Sequence, residues 1–61
     1  MADFRIQDEG TIVLLYPQSE EALSWFAEHV EAFIMYGAYV VERRFVMDIL
    51  QGLAEAGLTH D

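Results

Sequence analysis

Carboxylates are the side chains with the greatest capacity for chemistry in this sequence of 61 residues. Eleven Asp and Glu stand against three Arg and no Lys. Acid–base catalysis by a carboxylate pair needs one member whose pKa is raised by burial, and nearly every acidic residue here falls on a predicted exposed face or turn. We therefore expect no catalytic residues and no enzymatic activity.

His29 is the only histidine outside the C-terminal tail. It falls beside Trp25 on the apolar side of a predicted helix, where a hydrogen-bonded boundary histidine is favoured over a metal ligand or a base. The chain has no Cys and its four glycines are isolated, so we expect no cofactor and no specific metal site. A weak Ca²⁺ or Mg²⁺ site remains open at four acidic residues: Asp8, Glu9, Glu20 and Glu21.

The net charge of −8 restricts the partners of this chain. Nucleic acid and anionic lipid would both repel it, so we expect a protein partner, no direct nucleic-acid binding and no membrane contact. The longest uncharged stretches, 10–19 and 32–41, are too short to span a bilayer, and the lack of Cys fits a reducing compartment. A cytoplasmic protein is the resulting expectation.

The first part of the chain predicts a β-hairpin. Residues 3–7 alternate polar and apolar side chains, as an edge strand does, and residues 11–16 form a β-branched, continuously apolar second strand. The turn at 8–10 ends in Gly10, which accepts a positive φ. Pro17 ends the second strand because it has no N–H to donate to a ladder.

Two helices and a second hairpin complete the pattern. Ser19 is a suitable N-cap for a helix expected over 20–31. Residues 32–41 predict two short apolar strands hinged at Gly37, or one strand with a bulge. A second amphipathic helix is expected from residue 43 to about Ala56.

The predicted order ββαββα indicates an α+β fold, a small antiparallel β-sheet with two helices on one face, in a single domain over 1–61. Gly57 and Leu58 are suited to a glycine cap at the end of the second helix, and residues 58–61 are expected to fray. Residues 12–15 and 33–41 carry apolar side chains at both odd and even positions, and so on both faces of the predicted sheet. Either loop side chains cover the second face of the sheet, or part of that face is an interface.

The first helix carries acidic residues on one face without a balancing cation. On a helical wheel, its four glutamates fall within an arc of about 100°: Glu20, Glu21, Glu28 and Glu31. No Lys or Arg occurs between Ile6 and Val41. A solvated face is the ordinary explanation, but ordinary helices intersperse Lys with Glu, so the missing counter-charge favours a functional use.

Carboxylates at this spacing could imitate the phosphates of DNA. Duplex DNA carries a charge about every 3.4 Å along each strand, and a helix from Glu20 to Glu31 extends about 16 Å. The expected partner-binding surface comprises six acidic residues: Asp8, Glu9, Glu20, Glu21, Glu28 and Glu31. Three tyrosines are candidate aromatic anchors, although packing is the more common role of strand tyrosines: Tyr16, Tyr36 and Tyr39.

Arg43 and Arg44 form the only cationic cluster of the sequence. We expect them to pair locally, with Glu42 and, from Arg44, with Asp48 one helical turn later. Direct contact with a partner is the less favoured alternative.

Three sequence features occur together along nearly the whole chain: the run GTIVLLYP from Gly10, an acidic helix centred on Trp25, and the run GAYVVERRF from Gly37 that leads into a helix ending at Gly57. In this combination the chain resembles a group of very small bacterial and prophage proteins that includes a type I-C anti-CRISPR protein. The resemblance implies an acidic single-domain inhibitor that imitates DNA on the Cascade surveillance complex. It implies no defined set of functional residues.

Two functional hypotheses follow. The first is a non-enzymatic, phage-encoded inhibitor, monomeric rather than dimeric, whose acidic surface occupies the nucleic-acid-binding surface of a type I CRISPR effector. The second is a small acidic adaptor or antitoxin-like module without DNA mimicry. In the second, a homodimer would hide the surplus apolar face of the sheet, including Val13, Leu15 and the residues near Tyr39.

Overall fold

The computed structural model describes residues 2–60. A four-stranded antiparallel sheet carries both helices on one face, which confirms the α+β class and the order ββαββα. The strands lie in the order β1-β2-β4-β3, so β1 and β3 form the two edges. The elements are β1 Phe4–Asp8, β2 Ile12–Pro17, α1 Glu20–His29, β3 Phe33–Met35, β4 Ala38–Glu42 and α2 Arg43–Glu55.

Both hairpins predicted from the sequence are present. β1 and β2 pair along their length around a turn in which Gly10 has a φ of 92°. β3 and β4 pair around Tyr36 and Gly37, whose φ angles are 52° and 79°. Two consecutive positive φ angles are typical of a two-residue type I′ turn. The hinge at Gly37 is therefore confirmed, and two strands form rather than one bulged strand.

The core lies between the sheet and the two helices. It consists of nine buried residues: Phe4, Val13, Leu15, Ala22, Phe26, Tyr39, Val41, Val46 and Leu53. Phe26 is fully buried and packs on Tyr39, with ring centroids 4.9 Å apart. Val13 and Leu15 are only 3% and 0% exposed. The prediction that a homodimer would bury these two residues is therefore wrong, because the helices already cover that face of the sheet.

Local caps set the helix ends. The Ser19 hydroxyl accepts a hydrogen bond from the N–H of Ala22 at 3.1 Å, as an N-cap does. At the end of α2, the N–H of Leu58 donates to Leu53 and that of Gly57 to Ala54, at 2.9 and 3.0 Å. These two bonds form the glycine cap that the sequence predicts.

The C-terminal tail packs against β1. The carbonyl of Thr59 accepts hydrogen bonds from the N–H groups of Asp3 and Phe4, at 2.9 and 3.2 Å. The Asp3 carboxylate accepts the N–H of Thr59 in return at 3.0 Å, and His60 forms a parallel bridge with Phe4. The described part of 58–61 is thus held by contacts, in place of the fraying expected there. Those contacts reach across 56 residues of sequence, so local patterns give no sign of them.

Within residues 2–60, no helix combines the length and the apolar character needed to cross a membrane.

Candidate functional site

The six acidic residues of the predicted surface are all exposed, but they lie in separate places. Asp8 ends β1 and Glu9 follows it, whereas Glu20 and Glu21 begin α1 near the start of β1, where the N–H of Ser19 donates to the carbonyl of Asp3 at 3.1 Å. The length of β1, about 13 Å, separates the two pairs. They therefore do not form the weak cation site considered from the sequence. In the described part of the chain, no three His, Cys, Asp or Glu side chains are grouped to hold a metal ion.

Asp8 is balanced by a cation within the fold. Its carboxylate accepts hydrogen bonds from the Arg43 guanidinium and from the N–H of Gly10, the latter at 2.8 Å. The guanidinium first, and the Gly10 N–H second, lower the pKa of Asp8 below its ordinary value of 3.8. The sequence predicted a local pair for Arg43 instead, because 35 residues separate it from Asp8. Arg43 therefore partly neutralises the charge of Asp8, and the pair joins the end of β1 to the start of α2.

Arg44 follows the local expectation in part. Its guanidinium lies 3.6 Å from the Glu42 carboxylate, and both side chains are exposed. The guanidinium also lies over the ring of Phe45, 4.8 Å from its centroid. No ion pair between Arg44 and Asp48 is present among residues 2–60, so that prediction is wrong.

The acidic face of α1 keeps three carboxylates: Glu20, Glu21 and Glu28. None of them belongs to an ion pair of the described residues. With Ser24, Trp25 and His29 they form one open, nearly flat face of α1. From Glu20 to Glu28 the helix rises about 12 Å. This face of α1 is the candidate site.

Glu31 lies outside that helix face. α1 ends at His29, and Val30 is its C-cap with an extended backbone, φ −117° and ψ 116°. Two residues then lead into β3, so the helical wheel that placed Glu31 with Glu20 does not apply. Glu31 instead lines a second groove of about 390 Å³, between the end of α1, β4 and the start of α2. No pattern in the sequence indicates this groove, since its walls come from three separate elements.

His29 lies in the last turn of α1 and does not face the core. Its Nδ1 lies 2.9 Å from the carbonyl oxygen of Trp25, and its ring stacks on the Trp25 indole with centroids 4.5 Å apart. The side chain is exposed. The sequence predicts a hydrogen-bonded histidine at the boundary of the core. The hydrogen bond is confirmed, but the predicted position at the core boundary is wrong, because the side chain is exposed.

The three candidate tyrosines have three different environments. Tyr39 is 9% exposed and packs on Phe26, because its side chain points from β4 toward the helices. The prediction that Tyr39 anchors a partner is therefore wrong. Tyr16 is half-buried on the opposite face of the sheet, under the guanidinium of Arg5 at 4.4 Å. Tyr36 is 95% exposed, so among the three it is the one most able to contact a partner.

An exposed apolar strip is the feature that residue-by-residue reasoning missed. The β3 edge, as we name it, comprises Phe33, Ile34, Met35 and Tyr36, which are 66%, 55%, 47% and 95% exposed. The sequence feature that could have indicated it is the uncharged run 32–41, which has apolar residues at both odd and even positions. From that pattern we expected either that loop side chains cover the second face of the sheet or that part of it is an interface. No loop residue covers it in the described part of the chain.

Comparison of the chain with protein-family models, curated proteins and solved structures gave no match. The fold and the site define a small α+β protein with an uncompensated acidic helix at its surface.

Proposed function

We propose that this chain is a non-enzymatic inhibitor whose acidic α1 face occupies a basic nucleic-acid-binding surface of a protein partner in the bacterial cytoplasm. The observation that carries the proposal is the set of three exposed, unpaired carboxylates, Glu20, Glu21 and Glu28, along one side of α1. The resemblance to the anti-CRISPR group makes a type I Cascade complex the first partner to test.

The position of Glu28 supports a use beyond solvation. Glu20 and Glu21 lie in the first turn of α1, where the helix dipole stabilises an anion. Glu28 lies in the last turn, where the same dipole disfavours a carboxylate by about 0.3–1 kcal/mol. Solubility alone does not require an acidic residue at this end of the helix. A cationic partner would offset the cost.

A second candidate function is a small acidic adaptor or antitoxin-like module without DNA mimicry. The exposed β3 edge favours it, because a surface of that kind typically contacts another protein. In this case α1 would only face solvent, and changes of its charge would leave binding unaltered.

Competition with DNA tests the first proposal. Target duplex is titrated against a preformed complex of Cascade and this protein, at low and at physiological salt. We expect DNA and protein to exclude one another, and the complex to weaken as salt rises. Simultaneous binding of both, without mutual weakening, would show that mimicry is wrong.

A matched pair of variants separates position from overall charge. The double variant Glu21→Lys/Glu28→Lys should weaken binding roughly tenfold or more. The control Asp48→Lys/Glu55→Lys changes the net charge equally, at exposed positions of α2, and should have a much smaller effect. Circular dichroism checks that both remain folded. Equal weakening by both pairs would indicate a general charge effect and would contradict a site on α1.

A further inference from the structure

We propose that two copies of this chain associate through the β3 edge, so that the β3 strands pair antiparallel and the two sheets become continuous. β3 is at the end of the strand order, and no strand of residues 2–60 pairs with its outer side. Its side chains are apolar and about half or more exposed. An exposed apolar edge strand is a template for pairing with another chain.

The backbone of β3 is oriented for this pairing. Met35 and Ala38 close the two-residue turn, so they form a hydrogen-bonded pair. Such pairs alternate with non-hydrogen-bonded ones along an antiparallel ladder. Ile34 and Tyr39 therefore form a non-hydrogen-bonded pair, and the N–H and C=O of Ile34 point away from β4. These are the groups that a second strand can bind.

The β3 sequence is self-complementary about Ile34. When Ile34 pairs with Ile34 of the second copy, the two residues can exchange both backbone hydrogen bonds. Phe33 then lies opposite Met35 of the second copy, and the same contact repeats on the other side of the two-fold axis. Sulfur–aromatic contacts of this kind are favourable. A single register therefore satisfies the backbone and pairs large apolar side chains.

The charge distribution identifies a second copy as the occupant. A chain at −8 repels its own copies over most of its surface, but residues 32–41 carry no charge. In the proposed register each Glu31 precedes its own β3 strand by two residues, on the opposite side of the two-fold axis from Glu31 of the second copy. The two Glu31 residues therefore do not face one another. A basic partner would be attracted instead to the carboxylates.

The area of the β3 edge agrees with a reversible dimer. An aromatic side chain presents roughly 150–250 Å², so the four residues at their observed exposures present about 500 Å² per copy. Two copies would bury at most about 1,000 Å², because side chains on the two faces of the sheet keep part of their exposure when the edges pair, and this is at or below the lower limit for a specific interface. We expect a dimer that dissociates on dilution, and this differs from the monomer expected from the sequence.

Sedimentation equilibrium over a dilution series tests the association. The wild-type chain should show a reversible monomer–dimer equilibrium. Ile34→Pro removes the outward N–H without removing a hydrogen bond to β4, and should raise the dimer dissociation constant roughly tenfold or more. The control Leu23→Ser alters an apolar side chain, 52% exposed, outside the β3 edge, and should leave the equilibrium unchanged. A wild-type monomer at every concentration, or a dimer indifferent to Ile34→Pro, would overturn the proposal.

A second pair of variants tests the register even if Ile34→Pro does not fold. Phe33→Arg and Met35→Glu should each weaken self-association, because each places a charge opposite an apolar side chain. In a mixture of the two, positions 33 and 35 of different chains face one another, so one contact becomes an ion pair and the other remains apolar. A heterodimer should therefore recover. Absence of recovery would contradict the register.

Dimerisation and DNA mimicry can fail independently. The Glu21→Lys/Glu28→Lys variant should dimerise at least as strongly as the wild type, because it carries half the net negative charge, whereas Ile34→Pro should keep the acidic face of α1 intact. Loss of dimerisation in the first variant would contradict an interface confined to the β3 edge.

Discussion

Tyr36 and Tyr39 are three residues apart and have opposite environments. Tyr39 points from a paired position of β4 into the core and packs on Phe26. Tyr36 occupies the first of the two central positions of the β3–β4 turn, with a φ of 52°. A positive φ costs a residue with a Cβ about 1–2 kcal/mol. The chain thus places an exposed aromatic ring at a position that favours Gly or Asn. This placement suits a contact surface better than a turn selected for stability.

The pKa of Asp8 gives a prediction at the scale of single residues. We expect Arg43→Ala to raise the pKa of Asp8 toward 3.8, because the guanidinium is the largest cause of its lowering. Carbon-13 NMR titration of the carboxyl groups measures this directly. Asp3 is the internal control, since the Thr59 backbone, and not Arg43, is the main cause of its lowered pKa. An unchanged Asp8 titration would contradict the ion pair.

The same pair implies a direction for the pH dependence of stability. A carboxylate whose pKa is lower in the folded state stabilises the fold above its unfolded pKa, near 3.8, and loses that contribution as the pH falls through the folded value. Acid unfolding should therefore be less steep in Arg43→Ala than in the wild type over that range.

At the scale of elements, the two helices meet through an unusually close contact. A Cβ added at Gly52 of α2 would lie 2.8 Å from Cζ2 of Trp25 on α1. Trp25 is held in turn by the edge of Phe26, with ring centroids 5.6 Å apart, and by the stacked ring of His29. The glycine in the middle of α2 therefore serves the packing of the helices at the expense of helix propensity.

Substitution at Gly52 tests this contact. Gly52→Ala should lower the free energy of unfolding by about 1 kcal/mol, since overpacking costs about 1–3 kcal/mol and the gain in helix propensity returns about 1 kcal/mol. Urea unfolding followed by circular dichroism gives the value. In a Trp25→Phe background the clashing atoms are absent, and Gly52→Ala should be neutral or stabilising there. Equal effects in both backgrounds would exclude the close contact.

At the scale of the whole molecule, the net charge is −8, and residues 2–60 contain only two ion pairs. Both pairs are exposed, and exposed pairs contribute little to stability. We therefore expect self-repulsion to be the dominant electrostatic effect on folding. The fold tolerates it because all six acidic residues of the predicted surface lie in solvent.

Added salt should accordingly stabilise this protein. We expect the melting temperature to rise from low ionic strength to about 0.15 M NaCl, where the Debye length is about 8 Å. The protein is kept dilute so that dimerisation does not contribute. The rise should be smaller in Glu21→Lys/Glu28→Lys, which halves the net negative charge. A melting temperature that falls with added NaCl would contradict dominant self-repulsion.

Patterns within a few residues of one another sufficed for the order of elements, the N-cap at Ser19, the hinge at Gly37 and the cap at Gly57. These features depend on neighbouring backbone groups, which a sequence displays directly. The end of α1 was misplaced, because Glu31 keeps the helical period of the acidic residues although the chain has already left the helix. Glu31 therefore separates from the candidate site.

Tertiary structure alone decided which side chains are buried or paired. Ile34 and Tyr39 lie opposite one another on the same side of the sheet, yet Tyr39 is 9% exposed and Ile34 is 55% exposed. The strand order places β4 inside the sheet and β3 at its edge, and no local pattern encodes that order. The Asp8–Arg43 pair joins residues 35 apart for the same reason. Contacts between distant segments depend on how the whole chain packs, which no local pattern shows.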